Sequence, residues 1–306
     1  MNIDDIEDIG RAATIALYDE LALSPKPGLV TFSSNGSHSD MDARTFMRSL
    51  SSMRPYFGHI ARLGATGAAF PELERAGIEA EARMLEATGG VNTHRGAIFL
   101  LGLLCASAGA VIGGRQRLTP EALRATLIER WGEALRRRAS RPSTLPGGIA
   151  ARQLGLRSAS EEAAHGFPAV FETAIPAMRS AIRRGLSRER AQLDTLFHLM
   201  ATLDDSNLAH RGGLDGLRFA QRAARGFIER GGAATPDAGD RATAIAADFE
   251  ARRLSPGGSA DMLAAVCWMR RIGAIGAIGA IDAADAFDAV DAFDAVDVVS
   301  ARLALP

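Results

Sequence analysis

The chain has 306 residues, long for one domain and short for three, and its 47% hydrophobic and 23% charged residues exclude wholesale disorder. A formal net charge of −1 gives no support for a general nucleic-acid binder, and two cysteines, Cys105 and Cys267, are too few for a zinc cluster or a disulfide framework. The opening MNIDDIEDIG is acidic where a signal peptide would be basic and then apolar, so a cytoplasmic protein is expected.

Ile6, Ile9, Ala13, Leu17 and Leu21 fall three or four residues apart and predict a first helix. Phe46, Leu50, Met53, Phe57 and Ile60 predict a second, with Pro55 as a point of bending. Pro71 suits the first turn of a third, which carries Leu73, Ala76, Ala80 and Met84. Gly96 to Gly114 reads GAIFLLGLLCASAGAVIGG, uncharged and about the length of a short membrane span. Its richness in Gly, Ala and Ser, and the lack of a second such segment, favour a buried central helix over a membrane helix. Thr119-Pro120-Glu121 is a helix start: a capping hydroxyl, a proline, and an acid near the positive dipole end. Leu123, Leu127, Trp131 and Leu135 follow it. Residues 137–164 hold Pro142, Pro146 and Gly147-Gly148 and read as a long loop or a hinge. Later stripes are Leu193, Leu196, Met200, Leu203, and then Leu214, Leu217, Ala224, Phe227, the last ended by Gly231-Gly232. Thr235 to Gly239 reads as a shorter loop.

No long alternating run of strand-forming residues occurs. The expected fold is all-α, a compact multi-helix domain over residues 1–271 around a buried apolar helix. Residues 272–306 form a low-complexity acidic tail with Asp at every third position from 282 to 297, either mobile or a weak helix. Six Asp and one Arg give the tail −5 and leave +4 on the body.

Four polar clusters interrupt the helical pattern. In Ser24-Pro25-Lys26-Pro27-Gly28, two prolines fix an extended loop and aim the ammonium of Lys26, the sole lysine of the chain. Asn35-Gly36-Ser37-His38-Ser39-Asp40-Met41-Asp42 follows. Gly89-Gly90-Val91-Asn92-Thr93-His94-Arg95-Gly96 stands at the mouth of the apolar helix, where backbone N–H groups and Arg95 suit an anion. No GxxxxGK[ST] phosphate loop occurs. In Asp204-Asp205-Ser206-Asn207, adjacent aspartates end an apolar helix, at its unfavourable negative end. A divalent ion would compensate them, as would a capping arrangement answered by Arg211. Ser255-Pro256-Gly257-Gly258-Ser259 feeds a further helix.

Together SPKPGLV, NGSHSDMD, GIEAEARML, TGGVNTHRGAIF, GFPAVFETAIP, HLMATLDDSNLAHRGG and SPGGSADMLA, in this order, resemble the triphosphoribosyl-dephospho-coenzyme A synthase family over roughly residues 10 to 270. The opening ALYDELALSPKPGLVTF is closest to the malonate decarboxylase branch. Ser206 stands where relatives usually have threonine. The resemblance implies an all-α pentosyltransferase that joins ATP to 3′-dephospho-coenzyme A with release of adenine. Its product is the precursor of the prosthetic group of an acyl carrier subunit. No nucleic acid or membrane is involved, and the chain could pair with itself as a homodimer.

That reaction breaks the N-glycosidic bond of ATP and keeps the triphosphate on the sugar, so a phosphate loop is not required. An oxocarbenium-like state is helped by nearby carboxylates, and acid–base groups serve the acceptor hydroxyl and the departing base. The implied catalytic candidates are Asp40, Asp42, His38 and His94. The substrate-binding candidates are Lys26, Asn92, Thr93, Arg95, His210, Arg211, Ser255, Gly257 and Gly258. Glu79, Glu81, Asp204 and Asp205 are the candidates for Mg²⁺. A metal-dependent hydrolase of N-glycosidic or ADP-ribosyl bonds would use the same acidic clusters, and a non-enzymatic nucleotide carrier would need no metal.

Overall fold

The structure is a computed structural model and describes residues 6–275; the tail beyond lies outside the described residues. Twelve α-helices and no strand occur among the described residues. Helix α4 (Arg95–Gly113) organises them. Fourteen of its residues are buried, from Ala97 to Val111, so it is apolar on every side. By length and composition alone it could cross a membrane. Here α1 (Ile6–Ala22), α2 (Ala43–Ala65), α3 (Phe70–Thr88), α5 (Pro120–Ala139) and α12 (Gly257–Arg271) pack around it.

Small residues set how closely α2 and α4 approach. A Cβ added to Gly64 would meet the Ala106 carbonyl oxygen at 1.9 Å, and one on Gly109 would meet that of Ala61 at 1.9 Å. Backbone therefore lies on backbone, and the glycines pay for it in helix propensity. Pro55 sits inside α2. Next to it the Tyr56 hydroxyl donates to the Ile98 carbonyl of α4 at 3.0 Å.

The residues between 137 and 164 are more ordered than a loop. They hold the end of α5, α6 (Pro146–Gln153) and α7 (Ala159–Ala164). Pro142 stays in the connection 140–145, but Pro146 opens α6 with Gly147-Gly148 in its first turn, and α7 carries a capping box between Ser158 and Glu161. A π-helical turn (Ala169–Ala174) then leads into α8 (Ile175–Arg183), α9 (Arg188–Thr202) and α10 (Ser206–Glu229). α10 is broken at Gly213, whose φ of 62° no other residue type adopts readily. The stripe that begins at Leu214 is its second part. α11 (Ala238–Ala251) and α12 complete the fold. Arg271 at the end of α12 clamps Asp19 of α1 with two hydrogen bonds, 2.7 and 2.9 Å long.

Candidate active site

The N-termini of α4, α10 and α12 meet at one end of the bundle, and the segment 24–38 closes over them. Asp205 caps α10. Its Oδ1 accepts from the N–H groups of Asn207 (3.0 Å) and Leu208 (3.4 Å). Its Oδ2 accepts from the N–H and hydroxyl of Ser259 in α12, at 2.9 and 3.1 Å. All four lone-pair sites of this buried carboxylate are thus used. Gly257 and Gly258 allow the contact: a Cβ on Gly258 would stand 3.2 Å from the Asp205 carboxylate, and one on Gly257 2.8 Å from Asn207 Nδ2.

α12 also reaches α4. Asp261 accepts from the backbone N–H of Ala97, and its Oδ2 would lie 2.0 Å from a Cβ on Gly96. Burial, together with the charges of Glu20 and Asp205, pushes the Asp261 carboxyl well above the usual range.

Lys26 does not reach solvent. Its ammonium donates to the Glu20 carboxylate and to the Glu20 carbonyl, each at 2.5 Å. Both side chains are buried, and a buried pair of this kind fixes a loop on a helix because neither charge tolerates losing the other. Burial pulls the Lys26 ammonium down, and the Glu20 carboxylate opposes it.

His94 stands at the start of α4 and is 3% exposed. The Thr93 hydroxyl donates to Ser49 Oγ at 2.7 Å, and Ser49 Oγ lies 2.7 Å from His94 Nδ1. Ser49 Oγ keeps a second lone pair as well as its O–H, so it pairs with Nδ1 as donor or as acceptor according to the tautomer of the neutral ring. Nε2 is buried and has no partner in the protein. Burial, aided by the charge of Lys26, holds the imidazole neutral and lowers it to about 3.

His38 lies at the rim. Arg211 donates to its Nδ1 at 3.0 Å, and its Nε2 is 2.9 Å from Ser255 Oγ. Burial and Arg211 lower it. Ser37 donates to the Leu254 carbonyl at 2.6 Å, and Gly28 at φ 67° leaves room for that same carbonyl. The segments 24–38 and 249–255 are thereby latched together. Arg95 pairs with Glu81 of α3 at 2.5 Å, and Asn92 Oδ1 accepts from the Arg95 N–H at 3.1 Å.

The structure therefore brings Lys26, His94, Asp205, Ser255, Gly257 and Gly258 together, with His38, Asp40, Arg211, Asn92, Thr93, Arg95 and Glu81 around them. Asp40 is exposed and lies 3.6 Å from His38. Asp42 caps α2 through Thr45, at 2.8 Å, and the same contact lowers its carboxyl. It faces an open depression that also touches Phe32, Ser33, Asn35 and Arg44. Glu79, Asp204 and His210 are exposed. Sequence reasoning left out Glu20, Ser49, Ser259 and Asp261. The sole lysine between two prolines was a signal for a buried acidic partner; nothing in the sequence pointed to Ser49.

Among the described residues no three His, Cys, Asp or Glu side chains are grouped to hold a metal ion. A Mg²⁺ carried by a triphosphate needs only one or two carboxylates, and exposed Asp204 fits that demand. Asp205 has no free lone pair to offer.

Comparison with known proteins points one way. The family model described as ATP:dephospho-CoA triphosphoribosyl transferase matches residues 6–279. A probable 2-(5″-triphosphoribosyl)-3′-dephosphocoenzyme-A synthase of Vibrio cholerae is 39% identical over 272 residues, covering 85% of this chain and 86% of that protein. The synthase of Pectobacterium atrosepticum is 39% identical over 275 residues, 86% and 88% of the two chains. A probable synthase of Stutzerimonas stutzeri is 38% identical over 275 residues, 87% and 92%. No solved structure matches.

Proposed function

Since the chain belongs to the ATP:dephospho-CoA triphosphoribosyl transferase family and is a transferase, we propose that it moves the triphosphoribosyl group of ATP onto the 2′ oxygen of 3′-dephospho-coenzyme A and releases adenine. The observation that carries this reading is the meeting of four motif-bearing segments, far apart in sequence, around Glu20, Lys26, His94, Asp205 and Asp261.

The arrangement suits glycosyl rather than phosphoryl transfer. Helix N-termini and the rim arginines Arg95 and Arg211 favour a triphosphate that is held and not cleaved. Buried carboxyl groups favour positive charge developing on the ribose. Mg²⁺ would neutralise the triphosphate when bound, with Asp204 as the carboxylate able to take part. The latch of His38, Ser37 and Arg211 onto residues 249–255 ties the loop that covers the site to α10 and excludes water from it.

The likeness of ALYDELALSPKPGLVTF to the malonate decarboxylase branch supports that system as the destination, with an acyl carrier subunit as the final acceptor of the prosthetic group. A cytoplasmic setting accords with both substrates.

Protein supplied with ATP, Mg²⁺ and 3′-dephospho-coenzyme A should release adenine in step with loss of acceptor, without ADP or pyrophosphate in proportion. Adenine release at a comparable rate without the acceptor would make it a hydrolase. Tight nucleotide binding with no adenine under any condition would make it a carrier. Asp204→Asn should raise the Mg²⁺ concentration needed for half-maximal rate; an unchanged Mg²⁺ titration would remove Asp204 from the metal's surroundings.

A further inference from the structure

Where α1, α10 and α12 approach one another, Glu20 and Asp205 lie near enough for their charges to act on Asp261, and the three acids are not equivalent. Glu20 from α1 is bound to Lys26. Asp205 of α10 receives four donors. Asp261, in the second turn of α12, has the Ala97 N–H and no salt bridge among the described residues. As a residue it is half-buried where Glu20 and Asp205 are buried, but its carboxyl is enclosed, with Gly96 against Oδ2. The charges acting on it are Glu20 and Asp205, and with burial they favour its neutral form.

α4 begins beside it. Gly96 lies against Asp261 Oδ2, and two residues earlier the buried Nε2 of His94 has no partner among the described residues. A neutral carboxyl and a neutral imidazole with an unpartnered ring nitrogen therefore stand at the same helix mouth. Neutral hydrogen-bonding groups suit a neutral heterocycle better than they suit a phosphate, which calls for cations, and the carboxyl O–H is matched by a ring lone pair. In the proposed reaction that heterocycle is the departing base.

We propose, on the basis of the transfer reading above, that Asp261 is the catalytic acid for adenine. As C1′–N9 of ATP breaks, its electron pair passes to the purine and the Asp261 O–H gives its proton to a purine ring nitrogen. The 2′ oxygen of the acceptor forms the new bond to C1′, and its proton leaves to water. Once adenine has left, water returns a proton to the Asp261 carboxylate.

The test compares the wild type with Asp261→Asn, which keeps the shape and loses the acid, on ATP and on ATP methylated at N7. The methylated base departs without needing a proton. With ATP, kcat for acceptor-dependent adenine release should fall roughly 10²–10⁴-fold, as expected for loss of a general acid, while the KM for ATP stays within about threefold. With the methylated nucleotide, after subtracting its spontaneous decay, the deficit should shrink to under about tenfold. The wild-type kcat should decline on the alkaline side as Asp261 loses its proton, and the Asn variant should lack that limb. Asp261→Glu, which keeps an acid, should retain more activity than Asn and guards against a folding defect in the latter. Unchanged kcat in Asp261→Asn, or an equal deficit on both nucleotides, would overturn the assignment and leave the transfer reading standing. No adenine from the wild type would sink both.

Discussion

His94 is held neutral in the folded protein at about 3, whereas in an unfolded chain it titrates near 6.5. Between these values the unfolded state binds a proton that the native state refuses. The His94 contribution is therefore fully present above about pH 6.5 and is lost progressively as pH falls toward 3. At pH 5, 1.5 units below the unfolded value at about 1.4 kcal/mol per unit, the loss is on the order of 2 kcal/mol. His94→Asn isolates the effect, because an amide can pair with Ser49 through its oxygen or its nitrogen but does not titrate. His38 and His198 are also lowered, but they titrate alike in both proteins and cancel. Urea unfolding at pH 7 and pH 5 should show the wild-type midpoint falling by roughly 0.7 M more than that of the variant, for a slope of about 3 kcal/mol/M. Parallel shifts in the two proteins would mean that folded His94 accepts the proton. The neutral imidazole at the mouth of α4 would then be wrong.

Two further outcomes follow from the packing and from the placement of the site. Gly109→Ala gains about 1 kcal/mol of helix propensity but forces a Cβ to 1.9 Å from the Ala61 carbonyl; it should lower Tm by roughly 4–8 °C, a net loss of about 2 kcal/mol. Gly132→Ala on α5, where the nearest atom would be 3.6 Å away, should instead raise Tm by a few degrees, and equal signs for the two variants would refute the packing argument. Every residue assigned to the site lies between Glu20 and Asp261, so a chain ending at residue 275 should keep its adenine-releasing activity, and a soluble but inactive truncation would show that the acidic tail takes part.

Periodicity made most of the helices legible, because burial on one face dictates apolar spacing. α1, α2, α3, α5 and α9 follow their stripes, and α4 shows itself by having no polar face at all. What escaped were elements whose order comes from caps rather than from stripes. α6 and α7 are too short to show a period, and Pro146 and Ser158 start helices there as readily as they would break one. The site was legible where sequence clusters coincide with helix entries, as at His94, Asp205 and Gly257. Roles were harder to read than places. Lys26 looked like a phosphate ligand because a lone lysine between prolines is well aimed, yet its target is the acid six residues earlier. Asp205 looked like half of an acidic pair, but the backbone turn separates it from Asp204: one caps inward and the other faces solvent. Asp261 is one acid in the second turn of a mostly buried helix, and only the approach of Gly96 and the charge of Glu20 give it meaning.

The burial of Lys26 has a practical side. These 306 residues contain no other lysine, and this side chain is 0% exposed. Reagents that acylate or alkylate amines should find only the α-amine of the folded chain. Attack at Lys26 requires the 24–30 loop to lift and the ammonium to leave Glu20, so the rate of labelling there clocks the opening of the segment that covers the site. A substrate that holds this segment down should slow the labelling, giving a readout of occupancy that needs neither turnover nor a chromophore.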